Sequence, residues 1–266
     1  MINLTLYKRE LRRSLKLLAF FLAVITLYVG MIITMYNPEM MEMMETFREM
    51  MPELMAAVGM DKSDNTLIGF MISYLYGFIL LVFPMVFTVI RGNGLVANYV
   101  DRGSMASLVA APVRRRTVVF TQMTVLISCI LALMVYVTAL ELVVAEICFP
   151  GELDMAELLA INCGLTCLQL LIGGISFLAS CLFSDTRHSI AFGAGIPGLM
   201  YVLQMLANVG EEAEIAKYFS LFTLYDPTGI LAGNTGAILG SGILLTAAVA
   251  LYILANVIFC KKDLHI

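Results

Sequence analysis

Few residues in this chain could do chemistry, and their placement limits what that chemistry could be. Cys129, Cys148, Cys163, Cys167, Cys181 and Cys260 contain no C-x-x-C pair, and most lie in apolar runs. A thiol there reads as a small buried hydrophobe. The two histidines, His188 and His265, make no His-based metal site apparent. No G-x-x-x-x-G-K-[ST] sequence occurs, so the chain itself is not expected to hydrolyse ATP through a P-loop. The run from Gly193 through Gly195 to Gly198 matches G-x-G-x-x-G, but it lies inside an apolar stretch and follows no strand. It reads instead as close helix packing with a kink at Pro197. Gly236 and Gly240, spaced as GxxxG, are the better candidates for tight helix contact.

Two further groups need weighing. The segment from Pro38 to Met60 holds 8 of the 19 methionines, and clustered thioethers suit soft Cu(I). The spacing favours a different reading. Met40, Met43, Met44, Phe47, Met50, Met51 and Leu54 recur at helical intervals, with Glu42, Glu45, Glu49 and Glu53 opposite. That pattern is an amphipathic helix, lying on the outer membrane face or packing on the spans. Glu141 and Glu146 lie in the apolar sequence ALELVVAEICF. An acid within a membrane is costly and usually faces a cavity or partner. Close to the interface it can simply reach water, and the sequence leaves both readings open.

The elements that must position these residues follow from composition. Of 266 residues, 61% are hydrophobic and 14% charged, with mean hydropathy +0.92. Soluble domains are about half apolar and about a quarter charged. The chain is therefore expected to be an all-α integral membrane protein. A pI near 5.2, with no basic aromatic surface, argues against nucleic-acid binding. A bilayer core of about 30 Å needs roughly 20 apolar residues per helix. Six stretches qualify, at about 17–36, 67–90, 118–147, 158–183, 190–209 and 238–260, in a single domain covering 1–266. The first run is too long for a signal-peptide core, and Asn37-Pro38-Glu39 is no cleavage site.

Charge sets the expected orientation, because short basic loops stay cytoplasmic. The predicted spans leave 13 of the 16 basic residues on one side, among them Lys8, Arg9, Arg12, Arg13, Lys16, Arg91, Arg102 and Arg114 to Arg116. The other side keeps Arg48, Lys62 and Lys217, with about 16 of the 20 acids. Both termini are expected in the cytoplasm of a multi-pass plasma-membrane protein. Residues 1–16 pair Leu4, Leu6, Leu11 and Leu15 with the basic cluster, as a helix in the headgroup plane would. An ordinary positive-inside tail fits equally well.

The connection over 91–117 is long for a turn between spans. Leu95, Val96, Tyr99, Val100, Met105, Leu108 and Val109 provide a stripe for a short helix outside the bilayer, tied to spans at both ends. Such a helix can pass a displacement into the spans.

This order of a basic N-terminus, a span, an acidic outer loop, a span and then VANYVDRGSMASLVAAPVRRRTVV resembles the ABC-2-type permeases, the membrane subunits of ATP-driven (type V-like) exporters. The residues carrying the likeness are Asp101, Gly103-Ser104, Leu108-Val109 and Ala111-Pro112-Val113-Arg114-Arg115, with FCKKDLHI resembling the family's tail. Tyr99 departs from the pattern, since many members carry glutamate there. The resemblance implies a coupling helix that seats in a separate cytoplasmic ATPase. Asp101 and Arg102 would be its polar contacts, Met105 and Leu108 its apolar knobs, and Tyr99, Gly103 and Ser104 part of the same site. It also implies a second permease copy, as homodimer or heterodimer, and ATP and magnesium bound by the partner alone. Residues 210–235 would form short re-entrant helices. Two rivals stand beside this reading. A secondary transporter needs midplane ionisable residues or inverted repeats. An intramembrane enzyme needs clustered Asp, His or Ser within spans.

Overall fold

The computed structural model describes residues 2–37, 50, 51, 54, 66–104, 113–209 and 217–262. These are almost wholly helical, without strands among the described residues, and six helices are long and apolar enough to cross a membrane. In chain order they are α1 (Leu4–Thr34), a composite second span, α5 (Arg115–Cys148), α6 (Met155–Leu182), α7 (Thr186–Val209) and α9 (Thr235–Lys261). The second span joins α2 (Leu67–Met71), a π-helical stretch (Ile72–Ile79), α3 (Leu80–Leu95) and the short α4 (Ala97–Asp101). α8 (Pro227–Leu231) tucks against α6 and α9, and a 3₁₀ turn (Leu221–Leu224) against α7 and α9, so short helical pieces occupy part of 210–235.

Local sequence sets the helix starts. Asn3, Thr66, Asp154, Asp226 and Asn234 each accept a bond from a backbone N–H in the first turn that follows. Asp185 does the same ahead of α7, accepting from Arg187 N at 2.8 Å. That bond, helped by His188, holds the Asp185 carboxyl below the usual carboxylate range. At the other kind of end, Lys262 Nζ donates to the Cys181 and Leu182 carbonyls that close α6. Burial there pushes the Lys262 ammonium below its ordinary pKa.

α6 is the central helix, packing on α3, α5, α7 and α9. Its small residues allow that. A Cβ on Gly173 would lie 2.7 Å from Ile130 Cδ1, and one on Gly174 would lie 3.1 Å from Leu251 Cβ. The irregular second span is stitched to its neighbours through side chains. Tyr201 donates to the Gly77 carbonyl (3.2 Å), and Gln169 Nε2 to the Leu81 carbonyl (3.1 Å), beside Pro84. Partners of this kind let a π turn and a proline persist in a span.

Several expectations change. Residues 4–16 are helical, but they run without a break into the first span, so they extend α1 rather than form a separate helix. At 1.5 Å per residue, its 31 residues reach roughly 46 Å, against a hydrocarbon core of about 30 Å. Its buried stripe is Leu6, Glu10, Ser14, Leu18, Phe21, Ile25, Val29 and Ile33, while Leu4 and Leu15 are exposed. Of the cysteines only Cys129, Cys167 and Cys181 are buried, and Cys163 and Cys260 are exposed. In the Gly193 motif, Gly193 alone meets another helix, since a Cβ there would lie 3.3 Å from Ser176 Cα, while Gly195 and Gly198 face open space. The methionine-rich helix lies outside the described residues, apart from exposed Met50, Met51 and Leu54.

Gly240 does make a tight contact, with the 3₁₀ turn rather than with another span. A Cβ there would sit 2.5 Å from the Leu224 backbone oxygen, which no side-chain rotation relieves. Gly240→Ala is expected to destabilise the protein by about 1–3 kcal/mol, the usual range for overpacking. Thermal unfolding of purified protein should detect it, with Gly195→Ala, at an open position, as the near-silent control.

Candidate functional site

The polar residues gather at the basic end of the bundle. Continuing the buried stripe of α1 back from Leu18 by fours puts Ser14 and Glu10 against the second span. Glu10 is fully buried and Arg91 nearly so. Arg91 Nη2 donates to Glu10 Oε2 at 3.0 Å and to the Glu10 backbone oxygen at 3.0 Å. Tyr99 donates its hydroxyl proton to Glu10 Oε1 at 2.5 Å. Arg13 Nη1 in turn donates to the Tyr99 oxygen at 3.0 Å, with its guanidinium 5.6 Å from the ring centre. One carboxylate thus ties together α1, the end of α3 and the short α4.

The junction between α3 and α4 is pinned from the other side. The helix breaks at Val96, whose backbone (φ −127°, ψ −61°) is not helical. A break orphans one donor and one acceptor, and Ser180 of α6 serves both. Its hydroxyl accepts from Ala97 N at 2.8 Å and lies 3.4 Å from the Asn93 carbonyl oxygen, to which it donates. At Gly92 the two helices come close, since a Cβ there would be 3.0 Å from Ser176 Cβ. The elbow is therefore clamped between Glu10 of α1 and Ser180 of α6.

Beyond the elbow the chain turns outward. α4 ends at Asp101, and Arg102 N and Gly103 N close onto the Asn98 and Val100 carbonyls at 3.3 and 3.0 Å. Gly103 has φ +67°, the left-handed conformation that ends a helix without Cβ strain. Asp101, Arg102, Gly103 and Ser104 are all exposed. Ser104 returns one bond, Oγ to the Tyr99 carbonyl at 3.2 Å.

Of the seven residues singled out from sequence, Tyr99 thus belongs to the buried clamp, and Asp101 to Ser104 form an exposed turn beside it. Met105 and Leu108 lie outside the described residues. The sequence reading missed Glu10, Arg91 and Ser180. It put Arg91 in a loop, whereas it lies within α3 and is buried. The α1 stripe was the available signal for Glu10, because the Leu18–Ile33 register leads straight to it.

A second polar group lies near the opposite end of α5. Glu146 is exposed, but Glu141 is fully buried and does not reach water. Its Oε2 accepts from Tyr76 in the π stretch (3.0 Å) and from Asn162 Nδ2 of α6 (2.7 Å).

Comparison with known proteins yields no family model that matches this chain and no matching curated protein.

Proposed function

We propose that this chain is the membrane permease subunit of an ATP-driven exporter, of the ABC-2 type, with the Asp101–Ser104 turn as the docking element for a separate ATPase. The observation that carries the reading is the clamped elbow. An exposed polar turn joins at once to a helix pinned to both α1 and α6, so a push on the turn is passed to two spans and not absorbed by a slack loop. No residue of this chain breaks bonds in this scheme. The ATPase supplies the work by closing on ATP and magnesium, and the spans, paired with those of a second permease copy, open a path for outbound substrate. The chain acts as a multi-pass plasma-membrane protein with both termini in the cytoplasm.

One observation favours the rival secondary transporter, namely buried Glu141 within a span. The two readings part on whether transport needs an ATPase.

Orientation is the first requirement to test. In a background lacking the exposed Cys163 and Cys260, single cysteines would be placed at Glu152, on the loop after α5, and at Ser104. An impermeant thiol reagent added to intact cells is expected to modify position 152 and spare 104. Labelling of 104 from outside would rule out docking by a cytoplasmic ATPase.

A further inference from the structure

The Glu141 group has a pattern of bonds that an ionised carboxylate does not explain. Both donors, Tyr76 and Asn162, converge on Oε2, while Oε1 has no hydrogen-bond partner and no exposure. The Asn162 side-chain oxygen is likewise buried without a partner. Asn162 already donates its amide nitrogen to the carboxyl, so the two side chains stand as half of an acid–amide pair, each with one orphan oxygen. Two acceptors cannot bond each other, and leaving both buried and unmet is costly. One added proton on Oε1 would turn an orphan acceptor into a donor, able to serve an acceptor such as Asn162 Oδ1, with Oε2 as the carbonyl that accepts from Tyr76 and Asn162.

Nothing nearby offers the charge that would hold an ionised carboxylate instead. The ion pairs among the described residues are Arg91–Glu10 and His188–Asp185, neither of which involves Glu141. The groups facing it are Tyr76 from the π stretch, Asn162 from α6 and Tyr225 from the segment before α8. All three are neutral in their ordinary states. An unpaired carboxylate in such surroundings neutralises itself by taking up a proton. We infer that Glu141 is a reversible proton-binding site, protonated at neutral pH where α5 meets α6. This is independent of the ATPase reading and holds whatever drives transport.

Infrared spectra of the full-length protein in lipid nanodiscs, taken through a pH titration, test it. The expected result is a protonated-carboxylic C=O band at about pH 7, where an ordinary glutamate (pKa about 4.3) is fully ionised. That band should vanish in Glu141→Gln and fade reversibly as the pH is raised. Asn162→Ala removes a bond to the carbonyl and should move the band to higher frequency. This variant keeps the assignment open to test if Glu141→Gln does not fold. A band unmoved by Asn162→Ala, or a Glu141-dependent band arising only below about pH 5, would overturn the proposal.

Discussion

Arg91→Leu is expected to cost about 3–5 kcal/mol of stability, the penalty for leaving one member of a buried ion pair without the other. Arg91 gives Glu10 two bonds from a single nitrogen, and neither partner is exposed enough for water to replace it. Tyr99 alone cannot balance the charge left on Glu10. Removing both charges together tests the cause, since replacing a whole buried pair with apolar residues of similar size is often close to neutral. Glu10→Met with Arg91→Met should therefore recover most of what Arg91→Leu loses. The chain has no tryptophan, so unfolding is best followed by a thiol-reactive fluorophore reaching buried Cys129, Cys167 and Cys181. Equal losses in the single and double variants would show that packing, and not the ion pair, is what Arg91 supplies.

The clamp also explains why the spans were legible in the sequence and the site was not. Span positions follow from runs of apolar residues, a property each segment carries alone, and all six appear close to where the runs place them. The exact helix starts do not follow from the apolar runs, which begin later than the residues capped by Asn3, Asp154 and Asn234. The Glu10–Arg91 pair joins positions 81 residues apart, and no local pattern records that. Charge even pointed the wrong way. Arg91 ended the second span because arginine is costly in lipid, although a buried partner lets the helix continue through it to Leu95. The basic residues of α1 drew attention to its exposed face, while Glu10 lay on the buried one. Glu141 shows the same limit. Its place near the predicted span end left water and a buried partner both open, and Tyr76 and Asn162 close over it from elements that only the fold brings near. The π stretch that positions Tyr76 has no counterpart in the apolar pattern, which reads as ordinary helix.

The second large effect is expected at the exposed turn. Arg102→Glu reverses a charge beside Asp101 on the segment assigned to docking, while all bonds of the Glu10 clamp remain in place. Insertion and thermal stability should be unchanged, because Arg102 is exposed and surface substitutions usually stay within about 0.5 kcal/mol. ATPase association should fall by at least tenfold, a loss of about 1.4 kcal/mol or more of binding free energy. The most direct test is a photo-crosslinking residue at position 104 of the protein in its native membrane, with and without Arg102→Glu. A single major adduct is expected with a polypeptide carrying a G-x-x-x-x-G-K-[ST] ATPase motif, sensitive to ATP and largely lost in the Arg102→Glu background. No ATPase adduct from position 104, or one that Arg102→Glu leaves unchanged while the protein stays folded, would contradict it.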